Sequence, residues 1–120
     1  MPQTEVVFFS ENDGSVPLLE WLDRQPMKVQ TKCIVRVERL IELGHELRRP
    51  EADFLRDGIH ELRLSFRGVQ YRMLYFFFKE RAVVTHGLTK EGKVPDVEID
   101  RAIERKARFE KDPNRYTHRE

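Results

Sequence analysis

Two arginines, Arg63 and Arg72, occupy corresponding places in two neighbouring segments that are rich in apolar residues. Each arginine has apolar neighbours on both sides, so that in a strand the arginine and its neighbours point to opposite faces. If the two segments are adjacent antiparallel strands, side chains on one face approach within ~5–8 Å of each other. Two guanidinium groups at that distance repel each other unless an anion lies between them. The pattern therefore predicts a phosphate-binding site on one sheet face, although Arg63 could instead pair with Glu61 or with an acid on the adjacent strand.

Sequence motifs for other kinds of chemistry do not occur. No cluster of His, Cys or carboxylate residues has the spacing of metal ligands, and there is neither a glycine-rich phosphate loop nor a Ser or Cys nucleophile motif. The one cysteine, Cys33, lies on the apolar stripe of a predicted helix, where a small core residue is the better interpretation than a reactive thiol. We therefore expect no metal and no cofactor.

The two arginines belong to a segment, residues 58–89, whose pattern predicts a three-stranded antiparallel meander. Apolar and polar residues alternate at 59–65, 69–78 and 81–88, and a tight turn with Gly68 separates the first two runs. Aromatic residues are concentrated in the middle run, which is typical of a central strand.

The rest of the chain predicts one further strand and three helices. A β-rich run at residues 5–9 precedes a short helix near Pro17 and a longer one that begins after Pro26 and ends at Gly44. The last helix begins at residues 94–96, which place acidic side chains near the positive end of its dipole.

The linking and terminal segments complete the prediction. Residues 45–57 are predicted to form a polar connection from which Leu47 and Phe54 point inward. We expect one domain over residues 1–111, with the order β-α-α-β-β-β-α, and a polar tail over residues 112–120 that is frayed from residue 115. This is an α+β fold in which helices cover one face of a mainly antiparallel sheet, and part of the other face is left open where Arg63 and Arg72 would point.

Composition restricts the classes of protein to which the chain could belong. A chain of 120 residues with 39% hydrophobic and 36% charged residues suits one soluble domain, and no apolar run reaches the length of a membrane span. A single cysteine and an N-terminus without a signal-peptide pattern favour the reducing cytoplasm. The formal net charge is only +1, although residues 56–93 contain eight basic and four acidic side chains. This local excess is a weak indication of phosphate binding, and a solvated sheet face explains it equally well.

Four runs in the sequence resemble the HigB-like branch of the RelE/ParE toxin superfamily, which includes phage-derived members. They are ELR at 61–63, RGVQYRMLYFF at 67–77, HGLTK at 86–90 and KVPDVEI at 93–99, within a resemblance that covers residues 6–109. The resemblance implies a small sheet with two helices on one face and a C-terminal helix. It also implies a toxin of a type II toxin–antitoxin pair, whose partners are a helix-turn-helix antitoxin, the ribosome and mRNA.

The resemblance further implies metal-free cleavage of RNA, in which the 2′-OH attacks the adjacent phosphate. Such a reaction needs a base for the 2′-OH proton, cations that stabilise the five-coordinate phosphorane, and an acid for the 5′ oxygen. The candidate catalytic residues are Arg63 and Arg72 for charge stabilisation, His86 for proton transfer, and Tyr75 for proton transfer or base stacking. The candidate RNA-binding residues are Arg67, Lys90 and Lys93.

Alternatives remain open at this stage. His86 and Tyr75 each fit a core residue as well as a catalytic one, and the other three histidines have no evident role. The near-neutral charge is unusual for a ribosome-dependent ribonuclease, because binding to rRNA favours a strongly basic protein. It leaves two other functions open, a ParE-like inhibitor of DNA gyrase and a catalytically inactive module that only binds its antitoxin.

Overall fold

The structure, a computed structural model, describes residues 3–118 and contains one sheet and three α-helices. The strands are β1 (Glu5–Phe8), β2 (Ala52–Arg56), β3 (Ile59–Phe66), β4 (Val69–Phe78) and β5 (Arg81–Thr89). The helices are α1 (Pro17–Asp23), α2 (Met27–Leu43) and α3 (Asp96–Lys111), and a short 3-10 helix at Gly44–Glu46 follows α2. Within residues 3–118, no helix combines the length and apolar character needed to cross a bilayer.

The five strands form a sheet in the order β1-β5-β4-β3-β2. β1 runs parallel to β5, and the other three pairings are antiparallel. β4 is the central strand, and its residues 71–76 are all buried. Helices α1 and α2 cover one face of this stretch, and α3 covers the other face from Leu74 onward. The predicted α+β class and mainly antiparallel sheet are therefore confirmed, and the architecture is consistent with a RelE-like fold.

Helices α1 and α2 pack on one face of the sheet. Their apolar stripes, which include Trp21, Val29 and Leu40, meet the sheet residues Leu62 and Met73 in one buried cluster. Cys33 lies in the same cluster, as predicted, and burial raises the pKa of its thiol to about 11. A thiol with that pKa stays protonated near neutral pH, which excludes a reactive thiolate.

Helix α3 packs on the opposite face of the sheet, where Ala102 and Phe109 meet Ile59, Phe76 and Val83. The predicted arrangement of two helices on one face and a separate C-terminal helix is confirmed, and α3 covers part of the second face. α3 carries an apolar stripe of its own, and the second sheet face offers the apolar surface that buries it. The region over β2, β3 and the start of β4 stays open on this second face, and Arg63 and Arg72 are located there.

Strand β2 corrects the predicted polar connection over residues 45–57. It pairs with the free edge of β3, which supplies hydrogen-bonding partners that the local sequence does not reveal. Leu47 is buried, as predicted, but Phe54 is 55% exposed and does not point into the core.

The C-terminal segment, described up to residue 118, packs on the domain, in contrast to the predicted frayed tail. The amide of Ser10 donates to the carbonyl of Tyr116, and the amide of His118 donates to the carbonyl of Phe8. The ring of Tyr116 stacks on Phe9 with a centroid distance of 5.5 Å. The segment therefore packs along the end of β1, and residues 119–120 lie outside the described part of the chain.

Candidate functional site

A cleft of about 420 Å³ opens on the face of the sheet that carries α3, between β2, β3, β4 and the loop that follows β5. We call it the cationic cleft, because four basic and two acidic side chains line it. They are Arg49, Arg63, Arg72, Lys93, Asp53 and Glu61. The excess of positive charge in a concave, solvent-open site fits an anionic ligand.

Arg63 and Arg72 form the centre of the cationic cleft. They are direct cross-strand partners in the register of β3 and β4, so their side chains leave the same face of the sheet. Their exposure differs, because 28% of the Arg63 side chain is accessible to solvent but only 8% of the Arg72 side chain. Arg63 therefore lies at the mouth of the cleft and Arg72 at its floor.

Glu61 is the anion that lies between the two arginines. Its Oε1 is 3.3 Å from Nη1 of Arg72, and its Oε2 is 3.9 Å from Nε of Arg63. Burial raises the pKa of the Glu61 carboxyl, and the positive charges of Arg72 and Arg63 oppose that shift without cancelling it. The sequence pattern indicated Glu61 only as a possible partner of Arg63. Glu61 lies two residues before Arg63 in the same strand, and residues i and i+2 share a face of a sheet. This spacing was the sequence feature that could have placed Glu61 in the site.

The predicted RNA-binding residues occupy two places around the sheet. Lys93 lines the cationic cleft together with Arg63 and Arg72. Lys90 is exposed just after β5, and Arg67 is exposed in the turn between β3 and β4, where its guanidinium lies over the ring of Phe66 at 5.1 Å. The structure thus brings Lys93 into the cleft, while Lys90 and Arg67 lie outside its lining.

His86 lies on the same sheet face as Arg72 but under α3. A bulge at Thr85 shifts the register of β5, so that His86 pairs with Leu74. Its Nε2 lies 3.1 Å from a carboxylate oxygen of Glu98, and its Nδ1 lies 3.0 Å from the Thr85 hydroxyl, both within hydrogen-bond distance. Both ring nitrogens are therefore occupied.

The charge state of His86 follows from its surroundings. Burial, and then the positive charges of Arg105 and Arg101, lower the pKa of the ring to about 3. His86 is consequently neutral near pH 7 and 5% exposed, so that this arrangement is one of a hydrogen-bonded core histidine.

Tyr75 is separated from the two arginines by the sheet itself. It is 1% exposed and belongs to the cluster under α1 and α2, where its ring stacks on His60 with a centroid distance of 5.1 Å. Burial raises the pKa of the Tyr75 phenol. The structure therefore does not place Tyr75 in the cationic cleft.

Residues 3–118 contain no group of three or more His, Cys, Asp or Glu side chains placed to hold a metal ion. Within this described part of the chain, the chemistry of the cationic cleft consists of guanidinium, ammonium and carboxylate groups. The cations of such a set can bind an anionic group such as a phosphodiester, and its carboxylates can accept a proton.

Comparison with known protein families gives a match over most of the chain. A search of curated protein sequences found no significant similarity. The family model described as "Phage derived protein Gp49-like (DUF891)" matches residues 20–107, a segment that includes α2, the whole sheet except β1, and most of α3. Because the match extends over more than half of the sequence, the chain belongs to the Gp49-like family of phage-derived, toxin-like proteins.

Proposed function

We propose that the chain is the toxin of a type II toxin–antitoxin pair of the HigB-like kind, and that it cleaves mRNA on the translating ribosome. Membership in a toxin-like family supports the toxin role. The observation that carries the enzymatic part is the cross-strand pair of Arg63 and Arg72 in a cleft that also holds Lys93. In this proposal the partners are a helix-turn-helix antitoxin, the ribosome and mRNA, and the protein acts in the cytoplasm.

The cationic cleft is suited to the charge that develops during cleavage. When the 2′-OH attacks the phosphorus, the phosphorane carries one more negative charge than the diester. Arg72 on the floor and Arg63 at the mouth of the cleft would stabilise that charge, and the ammonium of Lys93 would hold a neighbouring phosphate. Fixed cations in a partly desolvated site stabilise a transition state more strongly than mobile cations in water.

A second, smaller cleft next to the first favours an extended nucleic-acid strand as the ligand over a small anion. This cleft, of about 290 Å³, shares Arg63 with the cationic cleft and is also lined by Arg36, Ser65 and Gln70. Arg63 thus separates two adjoining clefts. A single-stranded RNA could place successive phosphates in the two clefts, with Arg63 between them.

An alternative function is that of an inactive, antitoxin-binding module. The low exposure of Arg72 and its pairing with Glu61 favour it, since a guanidinium that already has an anion gains less from a phosphate. The net charge of +1 also favours a protein ligand over rRNA. A ParE-like inhibitor of gyrase would likewise use a protein surface in place of the cleft.

Induction of the chain in a growing bacterium separates these functions. For an mRNA nuclease, we expect growth arrest in which incorporation of labelled amino acids stops before incorporation of thymidine, together with new 5′ ends in mRNA. An early DNA-damage response without mRNA cleavage would indicate gyrase as the target. Normal growth, or arrest without either effect, would contradict the nuclease proposal.

A further inference from the structure

The carboxylate of Glu61 occupies the position between Arg63 and Arg72 where an anion is required. Only 4% of Glu61 is exposed, although it lines a cleft that is open to solvent. Among the described residues its Oε1 has no hydrogen-bond donor, because the contact with Arg72 at 3.3 Å meets the distance of an ion pair but not the geometry of a hydrogen bond. A buried carboxylate oxygen without a donor is costly, and such groups in clefts are candidates for function.

Charged groups from several elements line the cleft around Glu61. They are Asp53 on β2, Arg63 on β3, Arg72 on β4, Arg49 before β2, and Lys93 in the loop after β5. Asp53 is the direct cross-strand partner of Glu61, and its charge opposes ionisation of Glu61, but Arg49 neutralises Asp53 through an ion pair at 2.8 Å. The pKa of Glu61 is therefore determined mainly by its burial and by the charges of Arg72 and Arg63.

These surroundings give Glu61 a basicity above that of an ordinary surface carboxylate. Burial disfavours the charged form and raises the pKa of the group, while the positive charges of Arg72 and Arg63 act against that shift. A base whose pKa lies nearer to the working pH accepts a proton more readily in the transition state, provided that it is ionised beforehand. His86 lacks this property, since α3 covers it and both of its nitrogens are occupied.

We propose that Glu61 is the catalytic base of the cleavage reaction and that Arg72 holds its carboxylate in place beside the scissile phosphate. This inference rests on the proposed nuclease function and adds a residue to it. The carboxylate lies between the two guanidiniums that would bind the phosphate, so a ribose 2′-OH next to that phosphate would reach it.

The reaction balances with the groups at hand. Glu61 takes the proton of the 2′-OH while the 2′ oxygen forms a bond to phosphorus. The bond from phosphorus to the 5′ oxygen breaks, and the 5′ oxygen receives a proton from water. The products are a 2′,3′-cyclic phosphate and a 5′-OH, and Glu61 returns its proton to solvent. No oxidant, reductant or metal takes part.

The test compares Glu61→Gln with the wild type under single-turnover conditions on ribosomes programmed with a short mRNA. Glu42→Gln serves as the matched control, because Glu42 is an exposed carboxylate that pairs with Arg39 on α2. We expect Glu61→Gln to slow cleavage by ~10²–10⁴-fold and Glu42→Gln to cleave at the wild-type rate. Binding of an uncleavable 2′-O-methyl mRNA should be retained or tightened in Glu61→Gln, since a negative charge has left the cleft.

The pH dependence of the rate distinguishes a base from a group that only positions Arg72. The wild-type rate should rise with pH until Glu61 is ionised and then level off, and this rise should be absent in Glu61→Gln. A rise that persists unchanged in Glu61→Gln, or a wild-type rate for this variant, would overturn the role of Glu61 and leave the nuclease function standing. If the wild type does not cleave, both proposals fail.

A second variant keeps the test valid if Glu61→Gln does not fold. Glu61→Asp retains a carboxylate, but the side chain is one methylene shorter, so the carboxylate lies farther from Arg72. If Glu61 is the base, Glu61→Asp should cleave more slowly, and the rise of its cleavage rate with pH should occur at a different pH from that of the wild type. An unshifted profile at the wild-type rate would contradict it, and thermal unfolding of each variant checks the fold.

Discussion

Arg63 and Arg72 lie directly opposite each other on β3 and β4, and one carboxylate, that of Glu61, lies within ion-pair distance of both. A single negative charge between two positive charges leaves one positive charge uncompensated at the centre of the cleft. The uncompensated charge can attract a phosphate. The same arrangement places a carboxylate beside that phosphate.

Arg72 provides the first prediction. We expect Arg72→Lys to fold but to lose growth arrest, because an ammonium keeps the charge beside Glu61 and cannot present the planar, two-pronged donor set of a guanidinium. Arg72→Ala should lose arrest as well, and it should also lower stability, since Glu61 would be left buried without its partner. Growth after induction and thermal melting measure the two effects.

The matched control for Arg72 is Arg24→Ala. Arg24 lies at the end of α1 and does not line the cleft, and its guanidinium donates a hydrogen bond to the carbonyl of Glu20. It should remain fully toxic. Full toxicity of both Arg72 variants would exclude the cationic cleft as the active site.

His86 predicts a loss of stability in acid. The ring has a pKa of about 3 in the folded protein, against 6.5 for the free side chain. As pH falls below 6.5, the ring of His86 is protonated in the unfolded chain, but in the folded protein it stays neutral until about pH 3. Stability therefore falls by ~1.4 kcal/mol for each pH unit within that window. Glu61 acts in the opposite sense, because a carboxyl with a raised pKa favours the folded state as pH falls.

Urea unfolding of the wild type and of His86→Gln between pH 7 and pH 4 isolates the contribution of His86. Glutamine can keep hydrogen bonds to Thr85 and Glu98 but does not titrate, so the difference between the two proteins should shrink as pH falls. Parallel curves for wild type and His86→Gln would refute the low pKa.

A third prediction is that any side chain at position 87 destabilises the protein. Gly87 lies on β5 opposite Met73, and a methyl group added there would overlap the indole ring of Trp21. We expect Gly87→Ala to cost ~1–3 kcal/mol of unfolding free energy through overpacking. In a double-mutant cycle, Trp21→Leu should relieve part of that cost, whereas additive effects would mean that the two residues do not meet.

Tyr116 predicts that the C-terminal segment contributes to stability. Its ring stacks on Phe9, and the guanidinium of Arg108 lies 5.3 Å from its centroid. Tyr116→Ala should lower the unfolding free energy by ~3–5 kcal/mol, the range for loss of a buried aromatic side chain, and Tyr116→Phe should be close to neutral because it keeps the ring. Equal stability of Tyr116→Ala and the wild type would instead fit the frayed tail that composition alone suggested.

The sequence by itself determined the α+β class, the central meander and the common face of Arg63 and Arg72. These features follow from an alternation of period two, which is local and leaves each strand little choice of which side chains to bury. The core position of Cys33 follows from helical periodicity in the same way.

The tertiary structure alone decided which candidate residues meet. A bulge at Thr85 carries His86 to the face under α3, while Tyr75 remains in the core on the other side. The edge strand β2 and the position of the Glu61 carboxylate between two arginines likewise depend on pairing between segments that are distant in the sequence. Register, burial and the compensation of charge are properties of contacts between segments, and a local pattern does not contain them.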